Sequence, residues 1–306
     1  MNIVSTIVPI FVVIFLGLVA KQRGFFTSDF LDQANRLVYY FAIPAMIFNS
    51  IAKATLRTQF NLSVIMICLF VLLLITTVAW TMSSRFLNLL RSSQGTFIQS
   101  SFHGNLGYIG LAVAFYYLGD SGLVKAAIIA GFVMILQNIL AVIALQYHGR
   151  ARRGRTSITA TLKTTMANPV ILSALAGILF SLSGLQMPLI IERALTIIKG
   201  MALPMALLII GASLSFKKFK PRFWPVMVSC FLKVMMTPAI GLILFKLFSI
   251  DPTDYLPGLI ILASPTATLT YIMAREIGGD SDFAVAAISI STIFSSVTYG
   301  LWLTMG

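Results

Sequence analysis

The sequence predicts an all-α polytopic membrane protein. Ten transmembrane helices are expected as an inverted repeat of five, with a broken fourth helix and a broken ninth helix that cross each other. Three observations carry this prediction: an apolar composition poor in charge, ten apolar runs whose loops alternate between basic and nearly neutral, and scarce residues recurring 160 positions apart.

Of 306 residues, 58% are hydrophobic and 10% charged, against about 45–50% and about 25% in soluble domains. One crossing takes about 20 apolar residues, so ten short-looped spans use up the chain and leave no room for a soluble domain. The net charge of +13 would suggest nucleic acid as partner for a water-soluble protein. Here the bases lie in loops between apolar runs, where they orient the spans, and no nucleic-acid partner is expected. Cys68 and Cys230 lie inside apolar runs without metal-ligand spacing, so neither a disulfide nor a metal or other cofactor is expected. Met1 to Leu18 has no charged side chain and Lys21 and Arg23 follow it, the reverse of a cleavable signal. The first span is therefore expected to be retained.

The apolar runs fall at 3–20, 33–51, 60–83, 95–118, 123–147, 166–183, 190–214, 223–248, 255–275 and 283–305. Loops on one side hold Lys21, Arg23, Arg85, Arg91, the cluster Arg150, Arg152, Arg153, Arg155 and Lys163, then Lys217, Lys218, Lys220, Arg222 and Arg275. The opposite loops hold little more than Lys53, Arg57, Lys125 and Lys246. That asymmetry places the basic side in the cytoplasm and both termini outside.

At an offset of 160, Pro9 falls on Pro169, Gly17 on Gly177, Ala42 on Ala202, Pro44 on Pro204, and Gly119-Asp120-Ser121 on Gly279-Asp280-Ser281. Residues 1–147 then form the first repeat, 148–164 a basic cytoplasmic linker and 165–306 the second repeat. Five spans per copy force the second copy in from the opposite side, the arrangement of secondary transporters with a midplane site.

The candidate site lies in the least hydrophobic spans. The fourth carries Gln99, Ser100, Ser101, His103 and then Gly104-Asn105-Leu106-Gly107-Tyr108-Ile109-Gly110. Glycine costs about 0.8–1.0 kcal/mol against alanine inside a helix, so three within one span point to a break or to close helix packing. The equivalent ninth-span segment is Ser264-Pro265-Thr266-Ala267-Thr268, where proline removes an N–H. Two breaks meeting at mid-membrane would present helix N-termini that favour an anion such as a carboxylate. Asn105 could donate its amide to one carboxylate oxygen, with Ser264, Thr266 and Thr268 hydroxyls as further donors.

Lys233 lies inside the eighth span, where a charge costs about 2.5–3.5 kcal/mol. It either snorkels to the interface or serves as a fixed cation where a coupling ion would otherwise bind. His103 could titrate near neutral pH, or act as a hydrogen-bonded core residue. Gln137 and Asn138 are expected in interhelical hydrogen bonds, Asp120 and Asp280 as helix N-caps, and Pro44 and Pro204 as kinks.

Gly104-Asn105-Leu106-Gly107-Tyr108-Ile109-Gly110-Leu111 resembles the GN-x-G-[FY]-I-G-L pattern of the auxin efflux carrier family, which includes bacterial malonate and other organic-acid permeases. Tyr40-Phe41-Ala42-Ile43-Pro44-Ala45, Phe231-Leu232-Lys233 with Pro238, Ala263-Ser264-Pro265 and Met273-Ala274-Arg275-Glu276 resemble the same family. The resemblance implies a fold like that of the sodium/bile-acid and sodium/proton carriers. Spans 1, 2, 6 and 7 would form a scaffold, often dimeric, and spans 3–5 and 8–10 a moving domain, with Asn105 as the carboxylate-binding asparagine. Many members have proline after the I-G-L run, whereas this chain has Ala112, so its fourth-span break would rely on glycine. The long cytoplasmic loop of the plant exporters is absent, which points to a prokaryotic member, and the bacterial inner membrane is the expected location.

The expected function is secondary transport of small organic anions, mono- or dicarboxylates of malonate, malate or auxin type, by elevator-like alternating access in a homodimer surrounded by membrane lipid. With the cell interior negative, one charge crossing 100 mV is worth about 2.3 kcal/mol, so export needs no coupling ion while uptake needs a proton or sodium. No acid lies deep in a span, and an enzyme is not expected. The alternatives are a sodium-coupled symporter of bile-acid type and a membrane receptor that binds without transport.

Overall fold

The computed structural model describes residues 3–54, 59–87, 89–149, 158–216 and 223–306. Arg57, the bases at 150–155 and those at 217–222 lie outside the described residues, so most of the predicted basic clusters do too. The described residues are helical almost throughout, and their only β-type pairing is an isolated bridge between Gly104 and Thr266.

In chain order the helices are α1 (Ile3–Gln22), α2 (Ser28–Leu37), α3 (Ile43–Ala52), α4 (Leu62–Arg85), α5 (Arg91–Phe102), α6 (Leu111–His148) and α7 (Ile158–Met166). Then follow α8 (Pro169–Ser183), α9 (Leu189–Ser213), α10 (Phe223–Phe231), α11 (Thr237–Leu247), α12 (Pro252–Ala263), α13 (Leu269–Ile277) and α14 (Ser281–Met305). Among the described residues, six stretches are long and apolar enough to cross a membrane: 3–22, 62–85, 106–148, 189–213, 223–247 and 281–305.

Three wide, π-type turns interrupt the helices, at Val38–Ala42, Leu106–Gly110 and Leu232–Met236. The first ends two residues before Pro44 and the third two residues before Pro238. Proline lacks an N–H and its ring clashes with the carbonyl four residues back, and widening the preceding turn relieves both faults. The kink expected at Pro44 therefore takes the form of a wide turn just before it, while Pro204 sits inside the continuous helix α9. Ala112 stands two residues after the remaining wide turn, at the same offset as the two prolines. Ala112→Pro is accordingly expected to shift the thermal midpoint little. Ala114→Pro, in the regular helix beyond, should lose the roughly 3 kcal/mol of an interior proline, and thermal unfolding of the two variants checks this.

Packing sorts the helices into two bodies. In the first, α1 lies along α9, and α3 along α8 and α9. The α1–α9 contact is close because a Cβ at Gly17 would strike the backbone of Leu208, and one at Gly211 the backbone of Ile14. The second body gathers α4, α5, α6 and α10 to α14. Within α6 the chain breaks at Gly119, whose φ of 71° suits glycine, and a new helical stretch runs from there to His148. Asp280 caps α14 through the Phe283 N–H at 3.0 Å, as expected. Asp120 departs from expectation: its carboxylate takes Lys199 of α9 and Ser50 of α3 and so ties the two bodies together.

Candidate functional site

The interruption between α5 and α6 and that between α12 and α13 lie against each other. Asn105 N–H donates to the Pro265 carbonyl at 2.7 Å, and Ala267 N–H donates to the His103 carbonyl at 2.9 Å. Those two bonds form a short antiparallel bridge, so each break satisfies part of the other's backbone. Irregular backbone at membrane depth requires such partners.

Side chains satisfy much of the remainder. Gln137 of α6 accepts from Gly104 N–H at 3.1 Å and donates to the Gly104 carbonyl at 3.3 Å. Ser291 of α14 accepts the Thr266 N–H at 3.0 Å. The need for glycine at 104 is spatial: a Cβ there would lie 2.5 Å from Ser264 Oγ and 3.2 Å from Lys233 Cε. At Gly107 the nearest atom would be Met134 Cε at an ordinary 3.5 Å, so crowding sets only the first of these glycines.

A cavity of about 340 Å³ opens beside the crossing. His103, Gly104, Asn105, Gly107 and Tyr108 line it from the first break and Thr268 from the second, so six of the residues singled out by sequence share one wall. Asn105 is 6% exposed, and its amide makes no hydrogen bond with any described residue. The N–H groups of Gly107 and Tyr108, in the first turn after one break, and of Thr268 and Leu269 after the other, also lack partners among the described residues. All four residues border the cavity. No Asp or Glu is among its described lining residues.

Ser264, Pro265, Thr266 and Lys233 lie behind that wall. Ser264 Oγ donates to the Ile261 carbonyl at 2.7 Å and Thr266 Oγ1 to the Ser100 carbonyl at 2.9 Å, and both residues are fully buried. Their hydroxyls hold the ends of α12 and α5 in place. Lys233 does not snorkel: it is 1% exposed and its Nζ donates to the Leu262 carbonyl at 2.8 Å, at the end of α12. His103 Nδ1 lies 3.2 Å from the Gln99 side-chain amide, within hydrogen-bond reach, so the ring is held as a buried, hydrogen-bonded imidazole.

Two parts of this arrangement escaped the sequence reading. The polar pair Gln137-Asn138 in an apolar run signalled interhelical bonding, but not that Gln137 would splint a helix break. Asn35 and Arg36 also line the cavity, and Asn35 Oδ1 accepts from the Tyr108 hydroxyl at 2.6 Å. They fall inside the second apolar run, 33–51, where only Tyr40 to Ala45 stood out in the sequence.

Over residues 2–303 the chain matches the family described as "Membrane transport protein". It is 24% identical to a protein of Methanocaldococcus jannaschii named "Uncharacterized transporter", over 97% of each chain. It is also 24% identical to the "Putative malonate transporter" of Rhizobium meliloti, over 97% of this chain and 93% of that one. The Escherichia coli transporter YfdV is 22% identical, over 98% of this chain and 96% of its own. With nearly the whole chain matched and its crossed helix breaks lining one cavity, the protein belongs to this membrane transport family, that of the auxin efflux carriers, and is a multi-pass membrane transporter and not an enzyme.

Proposed function

We propose that the protein is a secondary carrier of small organic anions, mono- or dicarboxylates, that works by elevator-type alternating access. One observation carries this reading: among the described residues, two helix N-termini with unpartnered N–H groups border the same cavity as the free amide of Asn105, in a wall without a carboxylate. Each N-terminus carries roughly half a positive charge, and unpaired N–H groups are the donors that a carboxylate accepts from. Asn105 supplies one more donor, and Thr268 a hydroxyl.

The inverted repeat of ten spans draws support from element positions. At the 160-residue offset, α5 falls on α12, the break at 103–105 on that beginning at 264, and the kink at Gly119 on Gly279, which precedes α14. In this reading α1, α2, α3, α8 and α9 are the frame, which would also form the homodimer, and the second body moves. Few hydrogen bonds tie the bodies; Tyr108 to Asn35 lies beside the cavity, and Lys199 to Asp120 lines a separate cleft with Lys53. With Lys21, Arg23 and Arg275 on the cytoplasmic side of a bacterial inner membrane, both termini lie outside. The cavity then faces the cytoplasm and the Asp120 ion pair closes the outer side. Lys233 is a fixed cation at the crossing.

Proteoliposomes loaded with unlabelled malonate or acetate test the function. Labelled acid is expected to accumulate transiently by counterflow, whereas a receptor that binds without transport produces none. A sodium-coupled reading has one observation in its favour: Gln99 Oε1, Ser100 Oγ and Thr270 Oγ1 are buried without hydrogen-bond partners among the described residues. Replacing sodium by an organic cation abolishes counterflow in that case and leaves it intact in a uniporter.

A further inference from the structure

We propose that Arg36 is a specificity determinant that receives a second carboxylate, so that the carrier prefers short dicarboxylates to monocarboxylates. This rests on the reading of Asn105 as the seat of the first carboxylate.

Arg36 lies in the last turn of α2 and lines the same cavity as Asn105. Its side chain is exposed and has no hydrogen bond or ion pair with any described residue, so the guanidinium is uncommitted. Lys233 lies outside the lining, which leaves Arg36 as the fixed positive charge among the described residues of the wall.

Its neighbour points the same way. Tyr108 donates its hydroxyl to Asn35 Oδ1 at 2.6 Å, which occupies the acceptor of that amide and leaves its N–H₂ as the free end. Tyr108 starts one helical turn after Asn105, so a single tyrosine spans from the break to the Asn35-Arg36 pair. The cavity thus carries two separate donor sets, Asn105 with the helix N-termini and Arg36 with Asn35. A monocarboxylate fills only the first. A planar guanidinium with paired N–H donors matches the second carboxylate of a dianion.

The test compares malonate with acetate, which lacks the second carboxylate, on purified wild type, Arg36→Gln and Arg36→Lys. Affinity is read by calorimetry in detergent and counterflow in proteoliposomes, with thermal midpoints as a folding control. Losing a charge-assisted hydrogen bond should weaken malonate at least tenfold in Arg36→Gln. Acetate should change less than twofold, and Arg36→Lys should recover part of the malonate loss. Equal weakening of both acids, or unchanged malonate affinity, overturns the proposal while leaving the carboxylate seat standing. A wild type that binds neither acid overturns the carboxylate reading itself, and the role of Arg36 with it.

Discussion

Asn105→Ala is expected to weaken every transported carboxylate by about ten- to a hundredfold while leaving the thermal midpoint close to that of the wild type. The two halves of that expectation have one cause. The Asn105 amide makes no bond to any described residue, so its removal takes nothing from the fold. A hydrogen bond to a charged group is worth roughly 1.5–3 kcal/mol, and that loss falls entirely on the bound anion. Backbone contacts are spared, since Asn105 N–H and C=O remain to hold Pro265 and the Leu106–Gly110 turn. Asn105→Asp should be worse than alanine, because it sets a like charge against the substrate. Calorimetric affinity and counterflow, measured beside thermal unfolding, separate a lost ligand contact from a damaged fold.

The second large effect is expected at Lys233. Lys233→Met keeps an unbranched, flexible side chain one atom shorter but removes a charge whose burial costs about 2.5–3.5 kcal/mol in a membrane helix. It leaves the Leu262 carbonyl without its donor, a smaller penalty of about 1–3 kcal/mol. Stability should therefore hold or rise. Transport should fall more than tenfold, because the crossing loses the fixed cation that offsets the substrate's charge. Lys233→Arg should not restore it: the lysine is 1% exposed with its Nζ already 2.8 Å from the Leu262 carbonyl, so a longer, planar guanidinium has to displace the packing around it. A Lys233→Met protein that unfolds at lower temperature and still transports normally would make this lysine a structural residue.

Much of this was legible in the sequence for definite physical reasons. Apolar run length reports crossings because a bilayer accepts little else, and Pro265 with the glycine-rich Gly104–Gly110 segment betrayed the two breaks. What spacing does not carry is which partner a polar group finds in three dimensions. Ser264 and Thr266 share a break with Thr268, yet two of the three hydroxyls turn back to helix carbonyls, the default for Ser and Thr without water. Asp120 and Asp280 occupy equivalent positions, but only Asp280 caps its helix, because Lys199 and Ser50 of the neighbouring body reach Asp120. Arg36, near the end of α2, carried no signal in the sequence. Only packing against the Tyr108 break brings it to the cavity.

The central claim is that the crossed breaks cradle a carboxylate, and an experimental structure of the protein in nanodiscs with malonate tests it most directly. The account predicts density for the acid in the cavity, one carboxylate within hydrogen-bond reach of the Asn105 amide and of the N–H groups that begin the two half-helices. Density elsewhere, or continuous helices through Asn105 and Pro265, would contradict it.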